Sequence, residues 1–230
     1  MLTFSKTFPD NRQLAATVEA LRAFGDDRAV RVIDVRLEEQ TILLERVEPG
    51  ATLASTASED EALRVVAHLF APGWPAAPVN AVATPIGEFG SALEGSDLRR
   101  ARAVLSELLA DSADPALLHG DLHYDNILTS NRAGHLLIDP KGVAGDPAFD
   151  VGYLVSRPMP SARGGLTLSQ AIERRLTFLP DATRLDAQRV AAFAYVAAAL
   201  SVAWAREDRD PAVDRFVEAM RLLERHPALG

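Results

Sequence analysis

An eight-residue segment holds five side chains that could catalyse a reaction or bind a metal. The segment reads His119-Gly120-Asp121-Leu122-His123-Tyr124-Asp125-Asn126. One Asp or Asn alone would indicate little, because turns and helix caps favour both residues. Two histidines, two aspartates and an asparagine in one loop are instead typical of acid–base or metal-assisted chemistry. The cluster therefore predicts a catalytic or metal-binding loop.

Two short apolar runs after this loop predict a β-hairpin, with strands at 127–129 and 135–138. In an antiparallel hairpin Asn126 lies almost opposite residues 138–139, and directly opposed residues are about 5 Å apart. Asn126 and Asp139 would then offer two oxygen ligands to one hard cation. Mg²⁺ takes such ligands when it also binds substrate phosphates. The loop before Asn126 can fold Asp121 over the same place as a general base.

These residues resemble a known family. His119-Gly120-Asp121 followed by Asn126 resembles the loop H-G-D-x-x-x-x-N of small-molecule kinases with the protein-kinase-like fold, whereas eukaryotic-type protein kinases carry H-R-D. Ile138-Asp139-Pro140-Lys141-Gly142 stands where the metal-binding D-F-G of kinases would lie. The whole run from Ile138 to Asp150 is similar to the aminoglycoside and hydroxyurea resistance kinases, the group that contains streptomycin 6-kinases. The resemblance extends from about residue 4 to the C-terminal helices.

The resemblance implies a role for each matching position. Asp121 would accept or orient the proton of the substrate hydroxyl, and Asn126 and Asp139 would hold Mg²⁺ on the phosphates of ATP. His119 is expected to brace the loop rather than to transfer protons, since phosphoryl transfer needs little proton movement. Asp150 is expected to be structural and to tether the segment after the metal site.

The same resemblance implies how ATP is held. Lys6 stands about where the lysine of the phosphate-binding strand belongs. Leu43-Leu44-Glu45-Arg46-Val47 resembles the strand into the hinge, where backbone groups at Glu45, Arg46 and Val47 would bind adenine. Lys141 either reaches a phosphate or is solvated, and His123 either contacts substrate or is exposed.

The sequence departs from the kinase pattern on the ATP side. Only five residues precede Lys6, so we expect the glycine-rich hairpin that covers the phosphates to be absent. The helix glutamate that should orient Lys6 falls on Thr17. Glu19 is two residues away, about 200° round a helix, and is expected to be solvated. We therefore expect this chain to bind ATP poorly and to phosphorylate slowly.

The resemblance implies an α+β, protein-kinase-like fold with two lobes. Residues 1–49 would form a truncated N-lobe that ends at the hinge. Residues 50–230 would form a mainly helical C-lobe with the catalytic loop at 119–126 and the metal-binding segment at 138–142.

Helical spacing and cap residues predict most of the remaining elements. Strands are predicted at 29–34 and 40–46, and a proline-rich linker at 71–87. Helices are predicted at about 11–24, 58–70, 96–110 and beyond 169.

Composition limits the classes of function. The 230 residues include no cysteine, which excludes a disulfide scaffold and a cysteine nucleophile. The formal net charge of −8 argues against nucleic acid or an anionic membrane as partner. The uncharged stretch from Val190 to Ala205 is short for a bilayer span and predicts a buried core helix. With no secretory signal evident, a cytoplasmic location is expected.

The leading interpretation is ATP-dependent phosphorylation of a hydroxyl group on a small molecule, in particular a cationic antibiotic of the aminoglycoside type such as streptomycin. A second is a degenerate or truncated kinase-fold protein that binds ligand without efficient phosphoryl transfer. A third is a metallohydrolase that uses His119, Asp121, His123, Asp125 and Asp139, although that order fits no common dinuclear signature.

Overall fold

The computed structural model describes residues 3–78, 82–111, 115–158 and 165–229. The predicted linker at 71–87 lies partly outside these ranges. The strands are β1 (Thr3–Thr7), β2 (Val32–Arg36), β3 (Thr41–Glu45), β4 (Pro49–Thr52), β5 (Thr84–Pro85), β6 (Ala116–Leu118), β7 (Ile127–Ser130), β8 (Gly134–Leu137) and β9 (Val143–Gly145). The helices are α1 (Asn11–Phe24), α2 (Leu53–Thr56), α3 (Glu59–Phe70), α4 (Arg99–Ala110), α5 (Ala148–Ser156), α6 (Leu168–Thr183), α7 (Ala187–Glu207) and α8 (Val213–Glu224). Short 3-10 turns cover Ile86–Ala92, Tyr124–Asn126 and Pro227–Leu229.

The N-terminal part is an antiparallel sheet of order β1-β3-β2 packed against α1. Helix α1 begins where the sequence predicts, because the Asp10 side chain accepts a hydrogen bond from Gln13 N at 2.8 Å. It ends at Gly25, whose φ of 78° suits glycine. Leu14, Val18 and Leu21 are buried as predicted.

The strand predicted at 29–34 begins three residues later in the structure. Strand β2 begins only at Val32, because Ala29 forms an isolated bridge with Leu137 on the hairpin instead. The linker prediction for 71–87 is also wrong in part. Thr84 and Pro85 pair in parallel with β9, and a 3-10 turn begins at Ile86.

Strand β4 brings the chain from the first sheet to the hairpin. It pairs with β7, and β7 pairs with β8 in the register Ile127↔Leu137, which confirms the predicted hairpin. A third small sheet joins β5, β9 and β6. These short strands surround the 119–126 loop and the segment that follows β8.

The C-terminal part is helical, with α7 at its centre against α4, α5 and α8. Residues Val190 to Leu200 are almost entirely buried, which confirms the predicted core helix. By length and composition α7 is the single described helix that could cross a membrane, but 67% of its most apolar window is buried inside the molecule. Its apolar surface is therefore used in packing.

Candidate active site

Helix α5 holds the 119–126 loop by its backbone. The fully buried Asp150 accepts hydrogen bonds from the backbone N–H groups of His119 and Gly120, both at 2.8 Å, and from Trp74 Nε1 at 2.9 Å. Burial raises the pKa of Asp150, and these donors oppose that effect by stabilising the carboxylate. Asp150 is structural, as predicted, but it holds the 119–126 loop rather than the segment after the metal site.

His119 braces the loop, as predicted. Its ring is fully buried, with Nε2 2.9 Å from the carbonyl oxygen of Ile138. The backbone N–H of Asp121 donates to Nδ1 at 3.3 Å, so Nδ1 is the acceptor and Nε2 carries the proton. Burial lowers the pKa of His119, which keeps the ring neutral. This side chain therefore ties the loop to the end of β8.

The hairpin register brings Asn126 beside the segment after β8. The backbone N–H of Ile138 donates to the carbonyl oxygen of Asn126 at 3.0 Å. Asn126 Nδ2 donates to the backbone oxygen of Asp121 at 2.9 Å and lies 3.5 Å from its Oδ2. Since the amide nitrogen is used there, the amide oxygen of Asn126 is the atom that could bind a cation.

Asp139 follows directly and is surrounded by lysines. It adopts the left-handed conformation, with φ 58°, which is uncommon for a residue other than glycine. Its carboxylate pairs with Lys6, and Lys141 Nζ lies 3.6 Å away. Burial disfavours its ionised form, but the hydrogen bond from Lys6 and the charge of Lys141 outweigh burial and lower its pKa. Asp139 is thus an ionised oxygen donor.

Helix α1 contacts this segment without a carboxylate. Thr17 is buried, and its hydroxyl donates to the carbonyl oxygen of Pro140 at 2.9 Å. Lys6 therefore takes Asp139 as its partner, where the kinase pattern would supply a helix glutamate. Glu19 is half-buried and accepts a hydrogen bond from Val82 N at 3.0 Å, so the prediction that it is solvated is wrong in part.

A cavity of about 480 Å³ lies between the N-terminal sheet and the hairpin. Lys6 and Asp139 line its charged end, and apolar side chains line the remainder: Val30, Ile42, Leu44, Val47, Leu128 and Ile138. Glu45, Arg46 and Val47 also line this cavity, and their part in binding adenine stays a prediction. The Glu45 side chain pairs with Arg132, and its backbone N–H donates to Arg31 O at 3.0 Å.

A second cavity, of about 500 Å³, opens on the other side of Lys6 and Thr17. Asp121, Lys141 and Tyr153 line one part of it, and Phe89, Trp204 and Asp208 line another. The rings of Phe89 and Trp204 meet edge to face, with centroids 5.5 Å apart. Sequence reasoning missed Tyr153. The signal that could have found it is its position three residues after Asp150, one turn along the same helix.

The remaining polar residues of the loop form no obvious metal centre. His123 Nε2 lies 3.7 Å from Asp121 Oδ1, and its Nδ1 lies 3.7 Å from Asp125 Oδ2. Burial lowers the pKa of His123. Within the described residues no group of three or more His, Asp or Glu has the arrangement of a metal site. The metallohydrolase interpretation therefore finds no support.

The fold is the protein-kinase-like fold, which solved structures of small-molecule kinases share. The structure of choline kinase from Streptococcus pneumoniae matches with a TM-score of 0.65 at 19% identity, over 97% of this chain and 86% of that one. An aminoglycoside phosphotransferase from Streptomyces rimosus, in complex with ADP and streptomycin, matches with a TM-score of 0.60 at 18% identity, over 86% of each chain. The predicted α+β kinase-like fold is confirmed.

The chain belongs to the aminoglycoside/hydroxyurea antibiotic resistance kinase family, whose sequence profile matches residues 2–209. Streptomycin 6-kinase from Streptomyces griseus is 30% identical over 210 residues, which are 85% of this chain and 68% of that protein. The chain is accordingly a phosphotransferase with a hydroxyl group as acceptor. The expected weak binding of ATP stays a prediction.

Proposed function

We propose that this protein transfers the terminal phosphoryl group of ATP to a hydroxyl group of an aminoglycoside-type antibiotic such as streptomycin. The observation that carries the proposal is the meeting of two cavities at Lys6 and Thr17. One has an apolar interior and a charged end with Asp139, and the other contains Asp121. A nucleotide in the first would present its phosphates to an acceptor in the second.

ATP fits the first cavity by size and by chemistry. Its volume lies within the range of about 300–1,000 Å³ typical of small-molecule sites. The base would lie among Val30, Leu44 and Leu128 and bond to the backbone of Glu45, Arg46 and Val47. Since the Glu45 N–H already donates to Arg31, we assign that N–H no part in base binding. The proposed N-lobe, residues 1–49, would contact one side of the base, and the proposed C-lobe, residues 50–230, would contact the other.

Asn126 and Asp139 would hold Mg²⁺, because an amide oxygen and an ionised carboxylate are hard oxygen donors. When bound, Mg²⁺ would neutralise the charge on the transferred phosphoryl group. Lys6 would bind the phosphates once they compete with Asp139 for its ammonium group. Lys141 lies 3.8 Å from Asp121 Oδ2 as well as 3.6 Å from Asp139 Oδ2, so it can reach the same region.

Asp121 would act on the acceptor. Its carboxylate lines the second cavity and lies near Asn126, so a hydroxyl bound there could donate its proton to it. Such a base must lie within hydrogen-bond distance of the reacting hydroxyl, since positioning dominates phosphoryl transfer.

The part of the second cavity that is lined by Phe89, Trp204 and Asp208 suits a cation. Trp204 and Phe89 offer aromatic faces, and Asp208 adds a negative charge beside the C-terminus of α7, where the helix dipole is also negative. Streptomycin carries cationic guanidinium groups and hydroxyl groups. The streptomycin 6-kinase and the streptomycin-bound phosphotransferase among the relatives support the same class of acceptor.

The first experiment removes the proposed base. Asp121→Ala is expected to lower the rate of phosphate transfer to streptomycin by about 10²–10⁴-fold. Binding of ADP with Mg²⁺, measured by calorimetry, should change little, because Asp121 lines the acceptor cavity. Asp125→Ala is the matched control, since Asp125 lies in the same loop but its carboxylate faces His123. Transfer by Asp121→Ala within tenfold of the wild type would remove Asp121 from the mechanism.

The second experiment addresses the metal. Asn126→Ala and Asp139→Asn should each raise the Mg²⁺ concentration needed for ADP binding, and the double variant should lose less than the sum of the two effects. Both residues would hold the same ion, so the second substitution has less to remove. Calorimetric titration with Mg²⁺ at fixed ADP measures this. Unchanged Mg²⁺ dependence in either variant would contradict the site.

A further inference from the structure

Helix α5 presents two polar side chains to the 119–126 loop, and a third follows at its end. Asp150 and Tyr153 are three residues apart and lie on one side of the helix, and Arg157, the residue directly after the helix, lies four residues beyond Tyr153. Asp150 already holds the loop backbone at His119 and Gly120. Tyr153 lies one turn farther on, and its side chain lines the second cavity together with Asp121. The same helix thus reaches both the backbone and the side chain of the loop.

The partners of the Tyr153 hydroxyl fix the direction of its hydrogen bonds. Arg157 Nη1 donates to it at 3.3 Å, and a guanidinium can only donate. The hydroxyl oxygen is therefore an acceptor towards Arg157, and its own proton remains for another group. Ser201 on α7 and the Asp121 carboxylate both act on the Tyr153 hydroxyl. Ser201 donates its own proton to Ala197 O at 2.9 Å, and its oxygen keeps lone pairs that can accept. A carboxylate is the stronger acceptor, and Asp121 lines the same cavity as Tyr153, so it is the better partner for the hydroxyl proton.

Burial supports this arrangement. Tyr153 is buried, and its ring packs against Phe149 with centroids 6.0 Å apart, so the hydroxyl has little freedom to move. Burial raises the pKa of Tyr153, and the neighbouring negative charge of Asp121 raises it further. The hydroxyl therefore keeps its proton, which a donor to a carboxylate needs.

We propose that Tyr153 is a positioning residue for Asp121: its hydroxyl, supported by Arg157, donates to the Asp121 carboxylate and turns it towards the acceptor hydroxyl. The inference rests on the proposed role of Asp121. Among the described side chains, Asn126 Nδ2, His123 Nε2 and Lys141 Nζ lie 3.5, 3.7 and 3.8 Å from the Asp121 carboxylate, so none of the three holds it closely. A donor held rigidly in a helix would therefore decide its orientation.

The kinetic test is Tyr153→Phe, which removes the hydroxyl and keeps the ring. We expect kcat for streptomycin phosphorylation to fall about tenfold to a hundredfold, the value of a hydrogen bond to a charged group. The KM values for ATP and streptomycin should change less than about threefold, because Tyr153 acts through Asp121. Tyr195→Phe is the matched control: Tyr195 is also buried and bonds Glu224 Oε1 at 3.3 Å, away from both cavities. Its kcat should stay within about twofold.

A double-mutant cycle separates positioning from a general loss of packing. In an Asp121→Asn background, Tyr153→Phe should lower the residual rate less than about twofold, since no charged acceptor remains. A merely structural Tyr153 would lower the rate by the same factor in both backgrounds, and that result would overturn the proposal. If Asp121→Asn itself left transfer intact, the proposed function would fail first.

A spectroscopic test needs no turnover. The chain has three tyrosines, so tyrosine labelled with ¹³C at Cζ gives three signals, and the one missing from Tyr153→Phe belongs to Tyr153. Asp121→Asn should shift the Tyr153 signal and leave those of Tyr124 and Tyr195 in place. An unmoved Tyr153 signal would overturn the contact whichever acceptor the enzyme takes. A shift together with the loss in kcat would establish it.

Discussion

At the scale of single residues, the contact between α1 and the segment after β8 depends on a hydroxyl and a glycine. Thr17 donates to Pro140 O, and a Cβ on Gly142 would lie 2.5 Å from the backbone oxygen of Ala16. Between the hairpin and this contact lies Asp139, in the left-handed conformation that a non-glycine residue adopts only at a cost. We infer that α1 holds the backbone that orients the Asp139 carboxylate.

Thr17→Val should therefore loosen this segment. The substitution leaves the buried Pro140 oxygen without its donor, which lowers the free energy of unfolding by about 1–3 kcal/mol. Calorimetry should also show weaker binding of ADP with Mg²⁺. Thr177→Val is the control, since Thr177 donates to Glu173 O on an exposed part of α6. Equal losses of stability in the two variants would show that the hydrogen bond from Thr17 to Pro140 contributes no more than an exposed one.

The sequence predicted which residues meet here but not how they meet. The motif spacing placed Asp121, Asn126 and Asp139 around one point, and the register of the hairpin agrees. The position of Thr17 was found by counting along a helix, but its bond to Pro140 joins residues 123 positions apart. No local sequence pattern predicts such a contact, because it depends on how α1 packs against the hairpin.

At the scale of elements, local signals predicted the helices better than the short strands. Ser58 and Glu61 form a capping box at the start of α3, and such a box can be read from four residues. Strand β5 has two residues, and it pairs with residues of β9 that lie 59 positions later in the sequence. The prolines around it favour a linker, and a two-residue strand has no periodic pattern that would indicate pairing.

The element that most directly positions the site is α5, and its packing on α7 depends on Gly152. A Cβ there would lie 2.6 Å from Ala194 N and 2.8 Å from the Phe193 carbonyl carbon, both backbone atoms that cannot turn away. Gly152→Ala should therefore destabilise the protein by about 1–3 kcal/mol, despite the better helix propensity of alanine. Denaturant unfolding measures the loss.

Gly90→Ala is the matched control for that prediction. Its Cβ would meet only a side-chain carbon of Leu105, at an ordinary 3.7 Å. We expect its stability to stay within about 0.5 kcal/mol of the wild type. A Gly152→Ala protein as stable as Gly90→Ala would mean that α5 and α7 can separate without cost, and that Asp150 is not rigidly held.

At the scale of the whole molecule, the first cavity exists because the N-terminal sheet is fixed to the hairpin. Arg132, in the turn between β7 and β8, pairs with Glu45 at the end of β3, and Ala29 bridges to Leu137. Below the hairpin, a fully buried pair joins Glu59 of α3 to Arg175 of α6 at 2.7 Å, and Tyr124 OH donates to the same carboxylate at 2.8 Å. These polar links orient the 119–126 loop between the sheet and the helices.

His119 is fully buried in the 119–126 loop, so its protonation affects the stability of the fold. Burial lowers its pKa in the folded state, whereas an unfolded histidine titrates near 6.5. The folded protein thus binds fewer protons than the unfolded chain below about pH 6.5. The stabilisation linked to His119 is fully present above that pH and is lost as the pH falls through the unfolded value towards the folded one. Asp150, whose pKa burial raises, contributes with the opposite sign, so a variant must isolate His119.

His119→Asn removes the titrating ring and should lower stability at neutral pH. The difference in free energy of unfolding between the wild type and the variant should then decrease as the pH falls below about 6.5, by up to about 1.4 kcal/mol per pH unit. Denaturant unfolding between pH 7.5 and about 5.5 measures both curves. Thr177→Val, on the exposed part of α6, changes no titrating group and should give a curve parallel to the wild type. A parallel curve for His119→Asn would instead mean that the buried ring accepts its proton without opening the fold, and that it is not the rigid neutral brace between Asp121 and Ile138.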